Sequence, residues 1–144
     1  MVANRTILLV EDSDADSEAT VRALGRCVGS PAVYRCADGD SALTFLRQLD
    51  RVDGLASRPA VILLDLNLPG TDGREVLEQI KADDALKHIP VVILTTSAAS
   101  ADVAFCYRHG ASGYIVKPVD LAKFAARVQQ FHAYWFEAVE PSTA

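Results

Sequence analysis

The stretch that constrains this chain most runs from Ala60 to Gly70, where an apolar run stops on a single carboxylate and the backbone then turns. Five consecutive apolar residues, Ala60 to Leu64, suit a strand buried on both faces, the kind found inside a parallel sheet. Asp65 cannot share that burial, and Pro69 with Gly70 forces a turn within five residues of it. The carboxylate is therefore expected at the carboxyl end of a central strand, where open α/β sheets bind their ligands. The alternative is that Asp65 only caps the helix that follows.

The same design recurs along the chain. Thr6 to Val10 is apolar and ends on the acidic pair Glu11 and Asp12. Ala32 to Cys36 reads as a second strand. Val91 to Leu94, led in by Pro90, ends on the hydroxyls Thr95, Thr96 and Ser97. Gly113 to Val116 ends on Lys117, with Pro118 after it.

Between these runs the period changes to three and four. Ser13 to Asp16 suits the first turn of a helix with Ala19, Ala23, Leu24, Cys27 and Val28 inward, stopped by Gly29 to Pro31. Asp38 and Gly39 turn into a helix striped with Ala42, Leu43, Leu46 and Leu49. Asp50 to Pro59 lacks a pattern and reads as an irregular surface connection, with Val52 and Leu55 tucked inward. Asp72 or Gly73 opens a helix that turns Val76, Leu77 and Ile80 inward and closes near Ala82, and Asp83 to His88 is a polar link. Ser100 and Asp102 are candidate caps for a helix to about His109, with Gly110 at its carboxyl end. Asp120 should cap a last helix over about 120–138 whose Leu121, Phe124, Val128, Phe131 and Trp135 face the core.

Five alternations of strand and helix call for an α/β fold: a five-stranded parallel sheet, right-handed crossovers and helices on both faces. At 144 residues the chain has room for one such domain and no second. A net charge of −5 and a pI of about 5.1 leave no basic stripe, so neither nucleic acid nor an anionic membrane is an expected partner. With no membrane-length apolar run and no signal-peptide order at the amino terminus, the expected location is the cytoplasm. Cys27, Cys36 and Cys106 are odd in number and widely spaced, and read as small buried hydrophobes.

The strand termini then collect Glu11 and Asp12, Asp65, Thr95 and Lys117 on one edge of one sheet. Three neighbouring carboxylates repel one another, and a hard divalent cation with oxygen ligands relieves them. Mg²⁺ suits such a site, because it takes few protein carboxylates and leaves positions for a phosphoryl oxygen. Asp65 can then receive a phosphoryl group, with Lys117 neutralising charge on the equatorial oxygens and the Thr95 hydroxyl donating to one of them.

This ordered set resembles the receiver domain of two-component response regulators over about residues 6–130, with residues 1–144 forming a single such domain. The matching motifs are Glu11 with Asp12, Asp65 in the stretch from Leu64 to Gly70, Thr95, the aromatic Tyr114, and Lys117 with Pro118. The resemblance implies a (βα)5 flavodoxin-like fold and phosphoryl transfer from a sensor histidine kinase to Asp65. It also implies a Mg²⁺ ligand from the backbone carbonyl of Asn67, a switch in which Thr95 and Tyr114 move together, and a cis peptide bond between Lys117 and Pro118. The chain would catalyse only its own phosphorylation and dephosphorylation. The long 50–59 link, the run Leu94 to Ser97 and the aromatic last helix look like the stand-alone regulators associated with bacterial phytochrome kinases. Thr96 departs from the small residue usual after the switch hydroxyl, which narrows access to the acyl phosphate.

A phosphatase of the haloacid-dehalogenase type also uses a strand-end aspartate with Mg²⁺. It generally wants an acid two residues on, where this chain has Asn67. Finally, five of the ten aromatics lie between Phe124 and Phe136, and Tyr134, Trp135 and Phe136 are consecutive. At about 100° per residue three consecutive side chains cannot all face one core. Phe131, Tyr134, Trp135 and Phe136 are therefore expected to form a homodimer interface, unless the chain folds back over them.

Overall fold

A computed structural model describes residues 5–52 and 58–140, the side chains of residues 50–52 excepted. Five strands form one parallel sheet: β1 (Thr6–Val10), β2 (Ala32–Cys36), β3 (Val61–Leu64), β4 (Val91–Thr95) and β5 (Gly113–Val116), in the order β2-β1-β3-β4-β5. The helices α1 (Asp14–Gly25), α2 (Gly39–Val52), α3 (Gly73–Ala82), α4 (Ser100–Arg108) and α5 (Leu121–His132) alternate with them. The α/β fold expected from the alternation is the fold observed, and the strand that carries Asp65 is the central one.

Alternation of side chains along each inner strand divides the apolar residues between two layers. Leu8, Val10, Ile62, Leu64, Val91 and Ile93 pack with Ala42, Leu46, Val76, Leu77 and Ile80 from α2 and α3. Ile7, Leu9, Val61, Leu63, Val92 and Leu94 pack with Ala23, Leu24, Phe124, Val128 and Phe131 from α1 and α5. A strand buried on both faces needs apolar residues at every position, which is why β1, β3 and β4 read as unbroken runs. β2 at the sheet edge has no fully buried residue, and Ala32, Tyr34 and Arg35 are exposed.

Several local expectations are corrected. Helix α1 ends at Gly25, so Val28 lies beyond it and is exposed. Helix α2 continues to Val52, into the stretch expected to be irregular; the inward tuck of the Val52 side chain and of Leu55 falls outside the described residues. The link after α3 is not merely polar: Leu86 and Ile89 are buried in the core, and Lys81 donates to the Ile89 carbonyl at 2.8 Å. Neither Ser100 nor Asp102 caps α4, whose amino-terminal cap is Ala99 with no side-chain hydrogen bond. Asp102 is drawn instead to Arg74 at 2.8 Å and accepts from the Ser97 hydroxyl at 2.6 Å. Gly110 does close α4, with φ of 94°, a conformation other residues rarely adopt.

The last helix departs most from expectation. Leu121 is exposed, and the α-helix stops at His132 and widens into a π-helical segment over Ala133–Ala138. The wider turn lets two aromatics return to one neighbour: Trp135 stacks on Phe131 at 6.3 Å and Phe136 meets it edge-on at 6.5 Å. Arg5 caps the cluster, lying over the Phe136 ring and reaching the buried His132 at 3.0 Å. Phe131 is therefore core and unavailable to a partner, and Tyr134 is the residue left outward.

One close approach ties the fold to the site. The α3 amino end is pressed against the end of β3: Gly73 N–H donates to the Leu66 carbonyl at 2.9 Å, and a β-carbon on Gly73 would stand 2.2 Å from the Asp65 carbonyl oxygen. No residue but glycine fits without moving the Asp65 backbone. The variant Gly73→Ala is expected to lose about 3 kcal/mol, the upper end for overpacking, read as a lower urea midpoint at unchanged slope.

Candidate functional site

The sheet ladder carries one residue past the ends of its strands, and this fixes the backbone of the site. Asp65 N–H donates to the Val10 carbonyl at 3.0 Å, Glu11 N–H to the Cys36 carbonyl at 3.0 Å, and Lys117 N–H to the Thr95 carbonyl at 2.7 Å. Glu11, Asp65, Thr95 and Lys117 thus sit on one edge, as the strand termini predicted.

Their side chains converge. The Lys117 ammonium donates to Glu11 Oε1 at 2.5 Å and to Asp65 Oδ2 at 3.0 Å, and all three groups are buried. Glu11, Asp12 and Asp65 each offer a carboxylate oxygen within 4.8 Å of the others. Asp12 is the exposed member, at the mouth of the cup. A third carboxylate on the ammonium is Asp16, whose Oδ2 accepts at 2.9 Å. Its place in the first turn of α1 suggested only a favourable interaction with the helix dipole, and nothing local in the sequence marks it as part of the site.

Three carboxylates thus share one ammonium, with the fourth, Asp12, close by at the mouth. Burial pushes the Glu11 carboxyl up to about 7, against the pull of its hydrogen bond to Lys117. For Lys117 burial works against the charged form, but the hydrogen bonds to Glu11 and Asp16 and the charge of Asp65 outweigh it and hold the ammonium above the ordinary lysine range. The cup is short of positive charge, and three oxygens so close together fit a divalent cation.

Thr95 brings unused hydrogen-bonding capacity to the same edge. Its hydroxyl oxygen is buried and has no hydrogen-bond partner among the described residues, a state that leaves the group's desolvation uncompensated. Tyr114 is half-buried against the layer that holds α2 and α3, and its hydroxyl donates to the Ser97 carbonyl at 2.9 Å. Ser97 in turn binds Asp102, and Asp102 binds Arg74, so the segment after β4 is tied to both β5 and α3. Asn67 is exposed on the turn after β3, and its N–H donates to Asp65 Oδ1 at 3.3 Å. Its side chain has no acidic proton, and the dehalogenase-type alternative gains nothing from the geometry. The Lys117–Pro118 bond is trans, as there is no cis peptide bond among the described residues; this corrects the expectation taken from the resemblance. The trans form is the lower in energy by about 0.5–1 kcal/mol, and Lys117 reaches its carboxylates from it.

Comparison with known proteins agrees with this geometry. The response regulator receiver domain family matches residues 7–129. The response regulator Rcp1 of Synechocystis is 42% identical over 135 residues, covering 94% of this chain and 91% of that protein. Among solved structures, the phosphorylated cyanobacterial phytochrome response regulator RcpA superposes with a TM-score of 0.89 at 38% identity, covering 98% of this chain and all of that one. The Mn²⁺-bound form of Rcp1 gives 0.87 at 40% identity, with 96% and 99% covered. On its sequence, its fold and the convergence of acid, ammonium and hydroxyl at one sheet edge, this chain belongs to the response regulator receiver domain family of two-component systems.

Proposed function

We propose that Asp65 accepts a phosphoryl group from a phosphohistidine of a sensor kinase, in a Mg²⁺-dependent reaction in the cytoplasm, and that Thr95 and Tyr114 pass the change to a protein-binding face. The observation that carries the reading is the 3.0 Å contact between the Lys117 ammonium and Asp65 Oδ2 in a cup that also holds Glu11 and Asp12. The Asp65 carboxylate attacks phosphorus, a P–O bond forms as the P–N bond breaks, and the imidazole leaves with the electron pair. Hydrolysis later returns the carboxylate. Lys117 offers a point charge to the phosphoryl oxygens, and Thr95 a hydroxyl that has no partner among the described residues. Glu11, Asp12, Asp65 and the Asn67 backbone carbonyl would hold the Mg²⁺, which when bound supplies positive charge against the incoming phosphoryl group. When Thr95 turns to the phosphoryl group, Tyr114 settles inward beside β4, so the readout lies on the face formed by α4, β5 and α5.

The likeness to phytochrome response regulators supports a kinase of the phytochrome type as the phosphoryl source. The exposed Tyr134, with the half-exposed Trp135 and Phe136, supports a homodimer through the carboxyl-terminal segment.

Incubation with acetyl phosphate and Mg²⁺ is expected to add the mass of one phosphoryl group; Asp65→Asn should show no gain, and a gain that persists in this variant would reject Asp65 as the acceptor.

Divalent-metal binding should depend on pH through Glu11. Its folded-state value of about 7 lies above the ordinary 4.5, so between these values the metal-free folded state holds more protons than the unfolded one. Stability of the metal-free protein therefore falls as pH climbs through this window, and the metal, which displaces the proton, stabilises more at the upper end. Thermal melts from pH 5 to 8, with and without Mg²⁺ and referenced to Glu11→Gln, measure both slopes; a Mg²⁺ stabilisation independent of pH would contradict the assignment.

For the dimer, sedimentation should show wild type as a dimer and the Tyr134→Ala, Trp135→Ala double variant as a monomer. A monomeric wild type would remove this part of the reading.

A further inference from the structure

Resting on that reading, we infer that Asp16 is a positioning residue for Lys117, holding its ammonium in place while Asp65 passes from carboxylate to acyl phosphate. An ammonium has three donor protons, and in this structure Glu11, Asp16 and Asp65 take one each. A phosphoryl group on Asp65 can be met by Lys117 only if one of these bonds is exchanged. The bond to Asp65 is the one whose acceptor changes, so Glu11 and Asp16 remain as the two anchors. With both in place, the exchange moves a single hydrogen bond and leaves the ammonium where it was.

The local chemistry of α1 shows why Asp16 is free for this work. Ser13 is the amino-terminal cap, its hydroxyl accepting from Asp16 N–H at 3.1 Å, and Asp16 stands three residues on. An acid at that position ordinarily reaches back to the cap residue's own N–H. Here the Ser13 N–H donates instead to Glu11 Oε2 at 3.2 Å. Glu11 thereby uses one oxygen for the helix cap and the other for Lys117, and the Asp16 carboxylate is left to turn toward the end of β5. The Asp16 backbone is held on both sides, since its carbonyl accepts from the Thr20 hydroxyl at 2.7 Å. A side chain 40% exposed on a backbone this firmly fixed makes a rim anchor, opposite the buried anchor Glu11.

Asp14 is the natural control. It lies in the same first turn and carries the same charge, but it binds Arg35 at 2.7 Å and is not among the partners of Lys117. The probe is beryllofluoride with Mg²⁺, a mimic of the phosphoryl group, titrated calorimetrically. Asp16→Ala should weaken beryllofluoride binding about tenfold, in keeping with one lost hydrogen bond between charged groups, while Mg²⁺ alone binds within about threefold of wild type. Asp16→Asn, which keeps an acceptor oxygen, should recover most of the loss, and Asp14→Ala should bind as wild type does. In the metal-free protein the Lys117 Nζ proton signal should be protected from exchange in wild type and lost in Asp16→Ala, a change that general loosening of α1 would not confine to that group. Beryllofluoride affinity unchanged in Asp16→Ala, or reduced equally in Asp14→Ala, overturns the assignment to Asp16. Failure of the wild type to take up beryllofluoride with Mg²⁺ overturns the acceptor reading itself, and Asp16's role falls with it.

Discussion

The structure turns on one buried ammonium. Lys117 stands among the carboxylates of Glu11, Asp16 and Asp65 at the end of the sheet, and none of the three strand-end groups would be tolerable there alone. A carboxylate or ammonium taken out of water without a partner loses several kcal/mol of solvation even after relaxation. Brought together, the charges offset one another, but four acids against one base leave a residue of negative charge. That surplus fits the site for a divalent cation, the condition on which the proposed phosphoryl transfer rests. The hydroxyl of Thr95, buried and without a partner among the described residues, leaves hydrogen-bonding capacity at the same edge.

Such a cluster requires a frame that does not yield. Strands buried on both faces provide it, since each carries side chains into two packed layers and cannot shift by one residue without exchanging them. The ladder bonds that run past the strand ends then place Glu11, Asp65 and Lys117 by their backbones rather than by their long side chains. Gly73 adds a tight brace behind Asp65, and the placement of the Asp65 backbone depends on the absence of a single β-carbon.

These causes explain what could be read from the sequence. Double-sided burial writes itself as a continuous apolar run, and the first polar residue after each run marks a strand end, so the strand positions and the gathering of carboxylate, ammonium and hydroxyl at one edge were legible together. The cap at Asp120 was equally plain, and Asp72 is one of two residues that read as opening α3, but Ser13, which reads as part of the first turn of α1, is its cap. What escaped depends on meetings between distant parts of the chain. Asp102 looked like a cap until Arg74 claimed it, and Leu86 was hidden in a polar link that folds under the sheet. The three consecutive aromatics argued for exposure on the geometry of an α-helix, but the helix becomes π-helical there and two of the rings fold back onto Phe131. Asp16 escaped for the same reason, since its partner lies 101 residues away.

The same structure shows how a change of charge can travel. β4 and β5 are joined at their ends by the Lys117–Thr95 backbone bond, and beyond it the chain after β4 is held from two sides, by Tyr114 on Ser97 and by Arg74 through Asp102. If Thr95 turns toward a phosphoryl group as proposed, it would do so at the root of a segment held by polar contacts of Ser97 and Asp102. Polar contacts of this kind exchange partners at small net free energy, whereas the apolar layers beneath them do not. On the proposed reading, the response to phosphorylation would begin in the chain between Thr95 and Asp102 and in the tyrosine that leans on it, and reach the α4, β5 and α5 face from there, while the sheet that builds the acidic cup keeps its packing.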